Sequence, residues 1–162
     1  MATLGGKADA EIGQRLVMAF DYGTRRIGVA VGNEMLASAS GLEPLTARDG
    51  IPDWKAIERL LAEWGPDLLI VGLPIHDDGS ESDMSVRARK FGNRLHGRFG
   101  KPVEMFDERG TTRAAKAIAR AEGHRGNYRD RGVDGIAAQL ILENWFSRDL
   151  PHDALRDLSR GP

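Results

Sequence analysis

Cysteine is absent from the 162 residues. That one absence excludes disulfide staples, thiolate metal sites and a cysteine nucleophile together, and it accords with a reducing compartment. No apolar run approaches the roughly 20 residues needed to span a bilayer. The segment Met1 to Gly13 lacks the apolar core of a secretory signal. A cytoplasmic protein with no membrane partner is expected. The four histidines, His76, His96, His124 and His152, are scattered without zinc-ligand spacing, and no Gly-x-x-x-x-Gly-Lys phosphate loop occurs. Net charge is only −1, which by itself points to no polyanionic partner.

What is present suits one folded unit. Hydrophobic residues make up 41% and charged residues 29%, enough to build a core at this length. The reading is a single domain over residues 15–148, with a flexible tail at 1–14 and a weakly ordered one at 149–162. Charge is unevenly spread along it. Between Arg87 and Arg131 there are 13 Lys and Arg against 5 Asp and Glu, while the remainder holds 10 against 19. Such polarisation can present a basic surface to nucleic acid, or can simply solvate two amphipathic helices.

The apolar run Leu16 to Phe20 ends at Asp21-Tyr22-Gly23 and reads as a buried strand. Thr24-Arg25-Arg26 turns the chain into a second strand, Ile27 to Gly32, and so short a connection predicts an antiparallel hairpin. Ala37 to Leu45 is a third strand, against which Gly41 and Pro44 count. Pro52 is placed in the first turn of a helix whose face is Trp54, Ile57, Leu60, Leu61 and Trp64, stopped by Gly65-Pro66. Asp67 to Leu73 reads as a strand buried on both faces, as in a parallel sheet. After the polar turn His76-Asp77-Asp78-Gly79, the spacing of Met84, Ala88, Phe91, Leu95 and Phe99 predicts a basic helix. Pro102 to Phe106 is the fifth strand, ending at Asp107-Glu108. An alanine-rich helix capped by Thr111 or Thr112 follows, then a basic loop over residues 123–132. A last helix begins near Val133-Asp134 and turns Ile136, Leu140 and Ile141 inward. The expectation is an α/β fold with a five-stranded mixed sheet and helices on both faces.

Asp21, Asp107 and Glu108 all stand at strand ends, where open sheets gather their ligand sites. Each has a simpler explanation. Asp21 could pair with Arg25, Arg26 or turn amides, Asp107 and Glu108 could serve a helix N-terminus, and Asp134 could be a first-turn acid. Taken together, three carboxylates from a first strand, a later strand end and a terminal helix suit Mg2+ or Mn2+. These hard cations take oxygen ligands and leave room for phosphate.

Phe20-Asp21-Tyr22-Gly23-Thr24 with Ile27 to Gly32, then Val71-Gly72-Leu73-Pro74, Asp107-Glu108-Arg109, and Val133-Asp134-Gly135-Ile136-Ala137-Ala138 occur in that order. In these motifs, and in Arg87 to Phe91, the chain resembles the YqgF or RuvX-like family, from about Leu16 to Phe146. The resemblance implies an RNase H-like fold and a metal-dependent phosphodiesterase acting in maturation of the 5' end of the small-subunit (16S) rRNA precursor. Carried over by motif, the catalytic and metal-binding acids are Asp21, Glu108 and Asp134, with Asp107 accessory. Arg25, Arg87, Arg89, Lys90, Arg94, Arg109 and Arg113 are the expected nucleic-acid contacts. Two features depart from similar sequences. Gly110 replaces an apolar residue, and none of Arg131, Ala137 and Ala138 supplies the second last-helix acid of four-carboxylate junction resolvases.

The substrate expected first is structured RNA, with branched DNA as the alternative. A Holliday junction resolvase needs two active sites, so a homodimer accompanies that alternative. A sugar-kinase or ATPase reading also rests on Asp21 to Thr24, but 162 residues hold only one of the two domains such proteins close over nucleotide. A non-catalytic RNA-binding or transcription factor fits the polarised charge equally well.

Overall fold

The computed structural model describes residues 11–76, 78–107 and 132–148. Its organising element is β1 (Leu16–Asp21), whose four inner residues, Val17 to Phe20, are completely buried. β2 (Arg26–Asn33) runs antiparallel to it, with Asp21 opposite Gly28, as the short turn requires. β3 (Ser38–Arg48) continues the meander. Ile27 pairs with Leu45 but Val29 with Leu42, so Gly28 faces the two residues Glu43 and Pro44. Pro44 therefore sits in a β-bulge, where its missing N–H removes no regular ladder bond.

On the other side of β1 lies β5 (Leu68–Leu73), parallel to it and buried along its whole length, followed by β6 (Val103–Asp107), parallel to β5. The sheet has six strands rather than the expected five, in the order β4-β3-β2-β1-β5-β6. The extra strand is β4 (Ile51–Pro52), only two residues long, which folds back on Ala47 and Arg48. Pro52 thus belongs to this edge strand and not to the helix as expected; as an edge residue it has no inner ladder bond to lose. The helix begins one residue after Asp53, whose carboxylate accepts from the N–H groups of Lys55 and Ala56 at 3.1 and 3.3 Å.

Helices cover both faces. α1 (Trp54–Trp64) and α2 (Asp83–Phe99) pack on one, burying Ile57, Leu61, Ala88, Phe91 and Leu95 against Met18, Phe20, Val29 and Val71. The start of α2 is pinned to the end of β5. Ser82 and Ser85 form a reciprocal cap, and the buried Ser85 hydroxyl donates to the Pro74 carbonyl.

α3 (Gly132–Ser147) covers the opposite face, setting Ala138, Ile141, Leu142 and Trp145 against Val17, Ala19, Ala30, Leu68 and Ile70. Ile136 and Ile141 turn inward as expected, whereas Leu140 is only half-buried. Trp145 anchors the far end of α3. It is fully buried, its indole N–H donates to Glu104 at 3.2 Å, and the Arg148 guanidinium lies 3.6 Å from its ring centre. A meander joined to two parallel strands, with helices on both faces, is the RNase H-like arrangement that the resemblance implies. The expected cap at Thr111 or Thr112, the expected alanine-rich helix and basic loop up to Arg131, residues 1–10 and 149–162 of the expected tails, and Asp77 lie outside the described residues.

Candidate active site and nucleic-acid interface

Side chains alternate along a strand, so the two cores assign faces to the acids. Val17 and Ala19 meet α3, and Met18 and Phe20 meet the other helices. By that alternation Asp21 belongs to the α3 face and Tyr22 to the α1/α2 face. On β6, Val103 and Met105 contact the α1/α2 core and Phe106 the α3 core. Asp107 therefore falls on the face opposite Asp21. Two strand spacings, about 10 Å, separate β1 from β6.

α3 runs from the Asp21 end of the sheet toward Arg15. Its Trp145 ring lies 5.6 Å from the Arg15 guanidinium, at the start of β1. Its first turn meets β3 at Gly41, where a methyl group would stand 2.9 Å from the Gly135 carbonyl oxygen. Gly41 pairs with Ala30, and Ala30 with Ala19, two residues before Asp21. Asp134, third residue of α3, thereby has its backbone on the Asp21 face and toward the Asp21 end. Glu108, Arg109, Arg113 and the side chain of Asp134 lie outside the described residues. Among the described residues no three His, Asp or Glu side chains stand close enough to hold a metal ion. The donor chemistry nevertheless fits a hard divalent cation, since every candidate ligand is a carboxylate.

The expected basic contacts divide into two groups. Arg89 is tied to Glu81 by a bidentate pair, 2.7 Å at its shortest, which raises the guanidinium's pKa and holds the carboxylate's down. Arg87, Lys90 and Arg94 recur at i, i+3 and i+7 on an exposed face of α2, and none pairs with a carboxylate among the described residues. They line a cleft of about 210 Å³ together with Tyr22, Gly50 and Trp54. One turn further on, Arg98 lies 4.3 Å above the Trp54 ring. Arg25 is exposed in the β1–β2 turn, and its carbonyl accepts from the Ala47 N–H at 2.7 Å.

Tyr22 and the Asp49-Gly50 turn were not among the residues expected to contribute. Asp49 and Gly50 have φ of 52° and 82°, the two positive values that a two-residue hairpin loop requires. The Tyr22 hydroxyl donates to the Gly50 carbonyl at 2.7 Å, and the Gly50 N–H to the Thr24 carbonyl at 2.9 Å. The turn that closes the cleft is thus fastened to the segment that follows Asp21.

An RNase H-like α/β domain with an acid ending its central strand and a cationic helix on one face is the class that these elements define. The family model described as "RuvX: Holliday junction resolvase" matches residues 15–148. A "Putative pre-16S rRNA nuclease" of Chromohalobacter salexigens is 79% identical over 140 residues, covering 86% of this chain and 95% of that protein. A protein of the same description from Saccharophagus degradans is 56% identical over 135 residues, covering 83% and 95%. Among solved structures, T. thermophilus RuvC in complex with Holliday junction substrate is similar over 81% of this chain and 92% of that one, at 17% identity and a TM-score of 0.48. The chain belongs to the RuvX family.

Proposed function

We propose that this protein is a divalent-metal-dependent nuclease that hydrolyses phosphodiester bonds in the cytoplasm and acts in maturation of the 5' end of the 16S rRNA precursor. The observation that carries the reading is the position of Asp21: it ends a strand whose four inner residues are buried, on the face and at the end of the sheet toward which the first turn of α3 is directed. A carboxylate at that place is the donor type that a hard divalent cation shared with other acids takes. The names of the relatives support the rRNA substrate.

Asp21, Glu108 and Asp134 would hold Mg2+ or Mn2+. When bound, the metal supplies an acidified water and neutralises charge on the leaving oxygen. The chain's own residues do the rest. Arg109 steadies the scissile phosphate or the carboxylates. Arg87, Lys90 and Arg94 hold the flanking backbone by charge, with Arg25 and Arg113 adding to the same field. Asp107, on the opposite face by strand alternation, is the accessory acid of the set.

The family's description as a Holliday junction resolvase favours a second reading, a homodimeric resolvase of branched DNA. A side-by-side cleavage assay on 5'-extended 16S precursor fragments and a four-way DNA junction separates the two. Faster cleavage of the RNA is expected; junction-only cleavage with symmetric nicks would establish the alternative.

A further inference from the structure

The cleft beside Tyr22 has properties that a contact with passing backbone does not require. Arg87, Lys90 and Arg94 converge on it without a carboxylate partner among the described residues, although Asp49 lines the same cleft. Three uncompensated cations around one hollow call for an anion. A free phosphate, however, leaves the apolar part of the lining unexplained. The same cleft is lined by Ile51, with 59% of its surface exposed, by the partly buried Tyr22 and Trp54, and by the buried Pro52. Phe91 lies 5.1 Å from Tyr22 and 6.0 Å from Trp54, and is itself only 3% exposed. A lining with both an apolar and a cationic part suits a ligand with one anionic and one flat, apolar end. The lining is also held in place, through the Tyr22 hydroxyl on Gly50 and the Gly50 N–H on Thr24.

A nucleotide has both ends, but only when its base is free of a duplex. We propose that this cleft is a subsite for one unstacked nucleotide of a single-stranded nucleic acid, with its phosphate on Arg87, Lys90 and Arg94 and its base against the exposed Ile51. Tyr22 directly follows Asp21, so a strand seated here and crossing the end of β1 reaches the candidate catalytic acids. The inference rests on the nuclease reading and narrows its substrate to single-stranded segments beside the cleavage point. RNA and DNA share the recognised chemistry.

The test is fluorescence anisotropy of the full chain in EDTA, with single-stranded RNA and DNA oligonucleotides of mixed sequence and the matching RNA duplex. At least one single strand is expected to bind about tenfold or more tightly than the duplex. RNA tighter than DNA would make RNA the ligand, with a 2'-hydroxyl contact; equal affinity would mean reading by phosphate and base alone. Both outcomes support the subsite. Ile51→Ser, which changes no charge at an exposed position, is expected to weaken single-strand binding about five- to tenfold and leave duplex binding unchanged. Arg87→Ala with Arg94→Ala should lower the salt slope by about 2 units. Full single-strand affinity in Ile51→Ser, its melting temperature unchanged, would reduce the cleft to a backbone contact and overturn the proposal. Absence of cleavage on every substrate, with the Ile51 effect intact, would refute the nuclease reading and leave the subsite standing. Wild-type cleavage with no Ile51 effect would do the reverse.

Discussion

Replacing Gly41 by alanine places a methyl group 2.9 Å from the Gly135 carbonyl oxygen and 3.3 Å from its carbonyl carbon. Both atoms are backbone, so relief requires α3 and β3 to move apart. A strand glycine exchanged for alanine ordinarily gains about 0.5–1 kcal/mol of stability. Overpacking against fixed backbone costs about 1–3 kcal/mol and decides the sign. At about 2–4 °C per kcal/mol for a chain of this size, the net loss of up to about 2.5 kcal/mol should lower the melting temperature of Gly41→Ala by up to about 10 °C. The same displacement moves the turn that carries Asp134. Single-turnover cleavage well below the melting temperature should then fall by about tenfold or more, since small misplacements of catalytic groups are costly. Gly97→Ala is the control. Gly97 lies in the last turns of α2 with nothing within 4 Å of its added methyl, and the substitution should stabilise by about 0.5–1 kcal/mol. A Gly41→Ala protein as stable as the wild type would refute the close approach of helix and strand. Lost stability with an unchanged cleavage rate would refute the coupling to the site.

Two further outcomes are expected. Burial of Glu34 works to raise its pKa, but its bonds to the Arg15 side chain and to the N–H groups of Arg15 and Gly13 outweigh burial and hold it below the ordinary glutamate value. A carboxylate lowered in the folded state contributes stability above its unfolded pKa and loses it as pH falls through the folded one. Denaturant titrations should therefore show wild-type stability declining below about pH 4.3, and Glu34→Gln should flatten that decline; parallel curves would contradict the role of the pair. In RNA binding, Arg94→Ala should reduce the slope of log affinity against log salt by about 1 unit, whereas Arg89→Ala should change it less because Glu81 already neutralises that guanidinium. Equal slopes for the two variants would refute the division.

The legible parts of the fold were those with strong local signals. β1, β5 and the inner faces of α1 and α2 follow from uninterrupted apolar runs or three-and-four spacing, because each is buried along its length or along one stripe. Pro44 and Pro52 misled for a common reason. Proline argues against regular pairing, but a bulge against β2 accommodates Pro44 and a two-residue edge strand accommodates Pro52. The Asp49-Gly50 dipeptide carries a hairpin signal, yet with only Ile51 and Pro52 beyond it no alternating run announces the returning strand. Trp145 shows the limit for side chains. Its burial rests on Glu104, Arg15 and Arg148, and only the folded chain brings these together. At the candidate site, the strand-end position of Asp21 was readable directly. The opposite faces of Asp21 and Asp107 required the register of β1, β5 and β6.

The most direct test of the central claim is the rate at which the purified protein cleaves a 5'-extended 16S precursor fragment, with Mg2+ or Mn2+ and with EDTA, for wild type and Asp21→Asn. The expected result is metal-dependent cleavage by the wild type and a loss of at least about 100-fold in Asp21→Asn, with its unfolding transition retained. Equal cleavage by the two proteins, or cleavage that persists in EDTA, would contradict the assignment of Asp21 to a metal-dependent nuclease site.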